Sequence, residues 1–247
     1  MEPQLLHHVG DGVATVVIHH PAKRNAMTTP MWRALPLLLD GLAARADVRA
    51  LVLTGEGDTF CAGADISALR KSPDEAQGLA VLAEESLAAF PKPTLAAIRG
   101  YCVGGGSQLA AACDLRFAQE GSLFGVTPAN LGIVYPASST RRLAALVGPS
   151  AAKYLLFSGE LIDTERALRT GLVDEVLPEG ELDKRVAEFT RVLAARSLLT
   201  QSAAKEFVNG RTDRDAHWTR QARAGDDTAE GVAAFLERRQ PRFTWAP

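Results

Sequence analysis

Short apolar strand runs alternate with helical stretches through the first half of this 247-residue chain, and from about residue 138 the pattern becomes almost wholly helical. Strands joined through helices need those helices to cover them, so the alternation points to an α/β core with a helical C-terminal part. Leu5 to Val9, a Gly10-Asp11-Gly12 turn and Val13 to His19 read as a hairpin rich in β-branched residues, stopped by Pro21. Thr29 and Pro30 offer an N-cap and a first helical position, after which Met31, Leu35, Leu38, Leu39 and Leu42 recur at helical spacing. Arg49 to Thr54, Thr94 to Ile98 and Leu115 to Ala118 read as short buried strands. Helices are expected after Asp65, from about Pro73 to Phe90, from Ser107 to Cys113, and from Asp226 to Arg239 at the end.

Composition narrows the function. The 27 Lys+Arg against 29 Asp+Glu leave a formal charge of −2, without the basic excess that a nucleic-acid groove needs. A chain this long buries roughly 70–75% of its extended surface on folding, so stability needs neither disulfides nor a metal. Cys61, Cys102 and Cys113 are odd in number and lack C-x-x-C spacing, which fits a reducing compartment. No run approaches the ~18 apolar residues of a membrane span, and the first residues lack a signal-peptide layout, so a cytoplasmic protein without membrane association is expected. His7, His8, His19, His20 and His217 form no H-E-x-x-H or comparable set, and no metal site is expected.

Two glycine-bearing strand-to-helix turns are the most informative local features. Gly104-Gly105-Gly106 precedes a helix, where exposed amides and the positive helix end suit developing negative charge. Ala62-Gly63-Ala64-Asp65 also lies at a helix start, and one amide from each turn would make an oxyanion hole. The plainer alternative is that the glycines only permit a tight turn. No G-x-G-x-x-G or G-x-x-x-x-G-K-[ST] pattern supports a nucleotide-phosphate loop. Structural roles are expected for Ser107 as a cap, Asp65 as a helix-start carboxylate, Cys61 as a small buried residue, Glu84 and Glu85 as a solvated pair, and Arg238, Arg239 and Arg242 as a solvated helix end.

Four segments together carry a family resemblance: His20-Pro-Ala-Lys-Arg-Asn-Ala26, Phe60-Cys-Ala-Gly-Ala-Asp-Ile66, Pro93 to Gly106, and Glu230 to Phe243. In order and spacing the chain resembles the enoyl-CoA hydratase/isomerase family, the crotonase superfamily, over nearly its whole length. The resemblance implies a crotonase-like spiral of ββα units over residues 1–190 and a helical oligomerisation region over 191–247, building trimers often paired into hexamers. It also implies an acyl-CoA thioester as substrate, with coenzyme A arriving as part of it and no permanently bound cofactor. By matching motifs, the Ala64 and Gly105 amides would hold the thioester oxygen. Ala26, Ala62, Ala64, Asp65, Ile66 and Ser67 would line the CoA site, while Lys23 and Arg24 would approach the nucleotide end.

The departures bear on the reaction. Hydratases of this family use two glutamates, and the matching positions here are Gln108 and Pro128. A carboxamide exchanges no proton usefully near neutral pH, and proline has no polar side-chain group, so the two-carboxylate hydration machinery is missing. The run Thr127-Pro128-Ala-Asn-Leu131-Gly132-Ile-Val-Tyr135 looks like the methylmalonyl-CoA decarboxylase branch, in which the tyrosine helps place a substrate carboxylate. Double-bond isomerisation stays open, but Tyr135 would serve as its base only with a strongly lowered phenol pKa. The expected activity is a lyase or isomerase of an acyl-CoA; decarboxylation of a malonyl-type thioester and thioester binding without catalysis are the alternatives.

Overall fold

The computed structural model describes residues 2–67 and 73–246, the side chains of 73 and 74 excepted. Strand β1 (Gln4–Gly10) pairs antiparallel with β2 (Val13–His19), and β2, β3 (Ala50–Gly55) and β4 (Thr94–Ile98) continue in parallel. All five residues of β4 are buried, because helices cover both faces of a parallel sheet. Helix α1 (Thr29–Ala43) buries Met31, Trp32, Leu35, Leu39 and Leu42 in the core. Its N-cap is Thr28, whose backbone is extended, so the helix starts one residue earlier than expected and Pro30 takes its second position.

After α2 (Pro73–Ala88) and β4 the chain turns a corner into β5 (Tyr101–Val103) and α3 (Gly105–Ala112). It repeats the move through β6 (Leu115–Gln119) and β7 (Leu123–Gly125). The main sheet then has the order β1-β2-β3-β4-β6-β8, with β8 at Glu175–Leu177, and β5 and β7 pair in parallel as a second ladder. That ladder extends by single bridges at both ends, aligning Cys61, Cys102, Phe124 and Ile162 in one buried column. These repeated turns are the expected spiral of ββα units. β5, β7 and β8 were not expected, since three residues are too few to carry a period of two.

The remaining helices are α4 (Ala137–Ser158), α5 (Thr164–Thr170), α6 (Leu182–Ala194), α7 (Leu198–Val208), α8 (Asp215–Ala224) and α9 (Asp227–Leu236). Helix α6 runs across the expected 190/191 division. The helix expected after Asp65 falls largely on residues 68–72, outside the described residues. Among the described residues no helix is long and apolar enough to cross a membrane.

Candidate active site

The site is built on the turn before α1. Asn25 has a left-handed backbone (φ 57°) and is buried; its Nδ2 donates to the carbonyls of Glu56 (2.9 Å) and Thr59 (2.6 Å), and its Oδ1 accepts from the His20 amide (3.0 Å). Those bonds tie 20–26 to the end of β3. The neighbouring loop is tied down in turn: the Ala62 amide donates to the Arg24 carbonyl (3.0 Å), Met27 N–H to Gly63 O (2.8 Å), and Asp65 N–H to Met27 O (2.9 Å). Met27 thus bridges the residues on either side of Ala64. Backbone groups alternate in direction along an extended segment, so the Ala64 N–H points away from Met27. It donates to no acceptor among the described residues.

The second turn supplies the complement. Gly104 has φ 55° and ψ −115°, which only glycine adopts readily, and it is the N-cap of α3. Its own amide donates to Gly125 O at 2.8 Å, while the Gly105 amide, first in the helix, has no intrahelical acceptor and finds none among the described residues. A methyl group on Gly105 would lie 3.4 Å from the Ala64 nitrogen and 2.9 Å from the Trp32 ring; one on Gly106 would strike the Cys61 carbonyl. Two amides without acceptors among the described residues therefore lie on closely packed turns, and glycine is needed for the close packing behind them. Ser107 is not a cap. It sits inside α3, where its hydroxyl reaches the carbonyls of Cys102 (2.7 Å) and Gly125 (2.8 Å).

Gln108, one turn along α3, is 5% exposed. Its Nε2 donates to Glu84 Oε2 at 2.6 Å and to Ser139 Oγ at 3.1 Å. Glu84 also accepts from the Ser139 hydroxyl and forms an ion pair with Arg142. The expectation of a solvated Glu84–Glu85 pair is corrected here. Glu84 is 0% exposed because α2 turns that face onto α3 and α4, whereas Glu85 lies at the surface and meets Arg142 at 3.2 Å. Sequence reasoning missed this group.

Thr127 and Pro128 are half-buried beside the glycine turn, with Pro128 opening a 3-10 turn that ends at Leu131. Tyr135 is packed against the core, and its phenol is pushed above its ordinary value, first by burial and then by the Glu84 charge. That is opposite to what a tyrosine base would need. Lys23 bonds to both oxygens of Asp65 (3.0 and 2.8 Å) and to Ser67 Oγ (3.2 Å), while the Arg24 guanidinium lies 4.8 Å above the Tyr101 ring. Burial raises the Asp65 carboxyl, but hydrogen bonds from Lys23 and Ser67 outweigh it and bring it down to about 2. Asp65 also accepts the Ser67 amide at 3.0 Å, as a helix-start carboxylate does. Ala26 is buried, Ala62 half-buried, and Ile66 and Ser67 are exposed on this rim.

Burial pushes the Cys61 and Cys113 thiols to about 12 and raises Cys102 as well, which removes them as nucleophiles. No group of three His, Cys, Asp or Glu able to hold a metal occurs among the described residues.

A spiral of ββα turns with a mostly parallel sheet, a second short ladder and C-terminal helices is the crotonase fold. A crystal structure of an enoyl-CoA hydratase/isomerase family member superposes with a TM-score of 0.93 at 37% identity, covering 100% of this chain and 98% of that one. The chain belongs to the enoyl-CoA hydratase/isomerase family, which residues 8–245 match. It is 35% identical to the crotonyl-CoA hydratase of Syntrophomonas wolfei over 94% of each chain. It is 32% identical to the 2,3-dehydroadipyl-CoA hydratase of Escherichia coli, again over 94% of each.

Proposed function

We propose that this protein is an acyl-CoA lyase or isomerase that stabilises a thioester enolate between the Ala64 and Gly105 amides. The observation that carries the reading is the close packing of the two turns that bear those N–H groups, neither of which has an acceptor among the described residues. When a bond at the carbon next to a thioester breaks and leaves its electron pair behind, negative charge appears on the thioester oxygen. An amide aimed at that oxygen is worth ~3–4 kcal/mol in the transition state. Lys23, Arg24, Ala26, Ala62, Asp65, Ile66 and Ser67 form the rim along which coenzyme A would lie, in a cytoplasmic enzyme with no other cofactor.

The names of the two relatives favour water addition to an enoyl thioester, while Gln108 and Pro128 leave that reaction without its two carboxylates. Decarboxylation of a malonyl-type thioester is the second reading. There the carbon–carboxylate bond breaks, CO₂ leaves, and its electron pair forms the enolate directly, so no base is required. The run Thr127-Pro128 to Tyr135, whose tyrosine hydroxyl could donate a hydrogen bond to a carboxylate, favours this reading. Chromatography of crotonyl-, 3-enoyl- and methylmalonyl-CoA after incubation separates the cases. Hydrated, isomerised or decarboxylated product identifies the reaction, and tight binding with no product from any of them overturns enzymatic function in favour of a thioester-binding protein.

A further inference from the structure

Glu84 lies on a helix remote in sequence from the glycine turn, yet its bonding leaves Gln108 only one way to face. One Glu84 oxygen pairs with Arg142, and the other accepts from Ser139 and Gln108. An ionised carboxylate accepts hydrogen bonds and donates none. The two hydrogens on Gln108 Nε2 go to Glu84 at 2.6 Å and Ser139 Oγ at 3.1 Å, and the Ser139 hydroxyl spends its own hydrogen on Glu84. Every donor between these three side chains is used once. Turning the Gln108 amide over would set its oxygen against the carboxylate, so the chemistry of the neighbours fixes the orientation. The Gln108 carbonyl oxygen is then left over. It accepts nothing from the described residues and is not sealed off as a buried orphan atom. Gln108 follows Gly105 by three residues, so its side chain rises from the face of α3 that carries the Gly105 α-carbon, one turn from the helix end where the Gly105 amide is unbonded.

We propose that Glu84 is a positioning residue which locks Gln108 so that the site offers the acyl group a neutral hydrogen-bond acceptor instead of a proton-exchanging carboxylate. This rests on the acyl-CoA reading above. The ligands favoured are thioesters that carry an O–H group near the carbonyl, or a water held in the same place. Arg142 and Ser139 complete the lock, one by neutralising Glu84 and the other by occupying the second amide hydrogen.

The test compares the affinities of 3-hydroxybutyryl-CoA and butyryl-CoA by calorimetry in the full-length protein. Wild type should prefer the hydroxy thioester by about five- to tenfold, the size of one neutral hydrogen bond. In Glu84→Gln the new carboxamide can donate to the Gln108 oxygen and let it turn, so the preference should fall below about twofold while butyryl-CoA affinity stays within about twofold. Ser139→Ala keeps the Glu84–Arg142 pair and should lose part of the preference, which keeps the test intact if Glu84→Gln folds poorly. No preference in wild type, or an unchanged preference in both variants, overturns the lock. Failure of the wild type to bind either thioester sinks the acyl-CoA reading itself, and the lock with it. Equal binding of the two leaves that reading standing and sinks the lock alone.

Discussion

The Ala64 nitrogen lies 3.4 Å from where a methyl group on Gly105 would stand, so two separate turns of the spiral pack closely enough for both amides to serve the proposed oxyanion hole. Gly105→Pro deletes one N–H at the first position of α3, where proline is otherwise tolerated. Its ring also meets Trp32, so Gly105→Ala is the control that adds the same Cβ and keeps the amide. On the substrate that the thioester panel identifies, turnover by Gly105→Pro should fall on the order of 10²–10³-fold below that of Gly105→Ala. Equal rates for the two variants would remove Gly105 from the oxyanion assignment.

Lys23 and Asp65 join the two loops of the proposed CoA rim, and their bond has a pH signature. Asp65 titrates near 2 in the folded protein against an ordinary 3.8, so its contribution is fully present above about pH 5 and lost as pH falls through the folded value. Lys23 is half-exposed, which screens the pair and limits the effect to on the order of 1–2 kcal/mol. Urea melts of wild type and Asp65→Asn should differ by that amount at pH 7 and converge toward pH 2. A gap that persists unchanged at pH 2 would show that packing, not charge, makes the difference.

β4 is buried along its whole length and so writes itself as a nearly continuous apolar run, whereas β2 alternates half-buried and buried residues up to Ile18 and is marked by that alternation and its β-branched residues. The glycine turns were legible for a similar reason, since each meets a backbone demand that glycine serves. Glu84 was not. Its partners Ser139 and Arg142 lie 55 and 58 residues away, and a glutamate beside another glutamate looks like solvated surface. The signal was its place in the helix: Ala80 precedes it by four residues and Leu87 follows it by three, which puts it on the apolar face. Ion pairs between distant elements leave no periodic mark, so only the packing of α2 on α3 and α4 could show this one.

Helix α9 leaves Val232, Phe235 and Leu236 in solvent, with Phe235 83% exposed. Such a patch on a C-terminal helix fits the expected trimer or hexamer, in which another copy would cover it. Phe235→Glu would place a charge in that interface, so light scattering should show the wild type as a multiple of three chains and the variant as smaller species. A wild type that runs as a monomer at micromolar concentration contradicts the expectation.

Gln108 and Pro128 stand where the resemblance leads one to expect the two hydration carboxylates. A glutamate at 108 would bring a second carboxylate to where an amide now sits 2.6 Å from Glu84. Two such groups cannot both ionise cheaply, so they share a proton and one is held above the ordinary ~4.3. A carboxyl raised in the folded state costs stability as pH rises: Gln108→Glu should match wild type near pH 4 and fall below it in urea melts by pH 8. Adding Glu84→Gln exchanges acceptor and donor across the same contact and should remove that penalty. For the same reason, Gln108→Glu with Pro128→Glu should hydrate crotonyl-CoA poorly, and the triple variant with Glu84→Gln should gain about tenfold or more by freeing the new carboxylate to move a proton. Equal hydration by the double and triple variants would mean that Glu84 does not control the group at position 108.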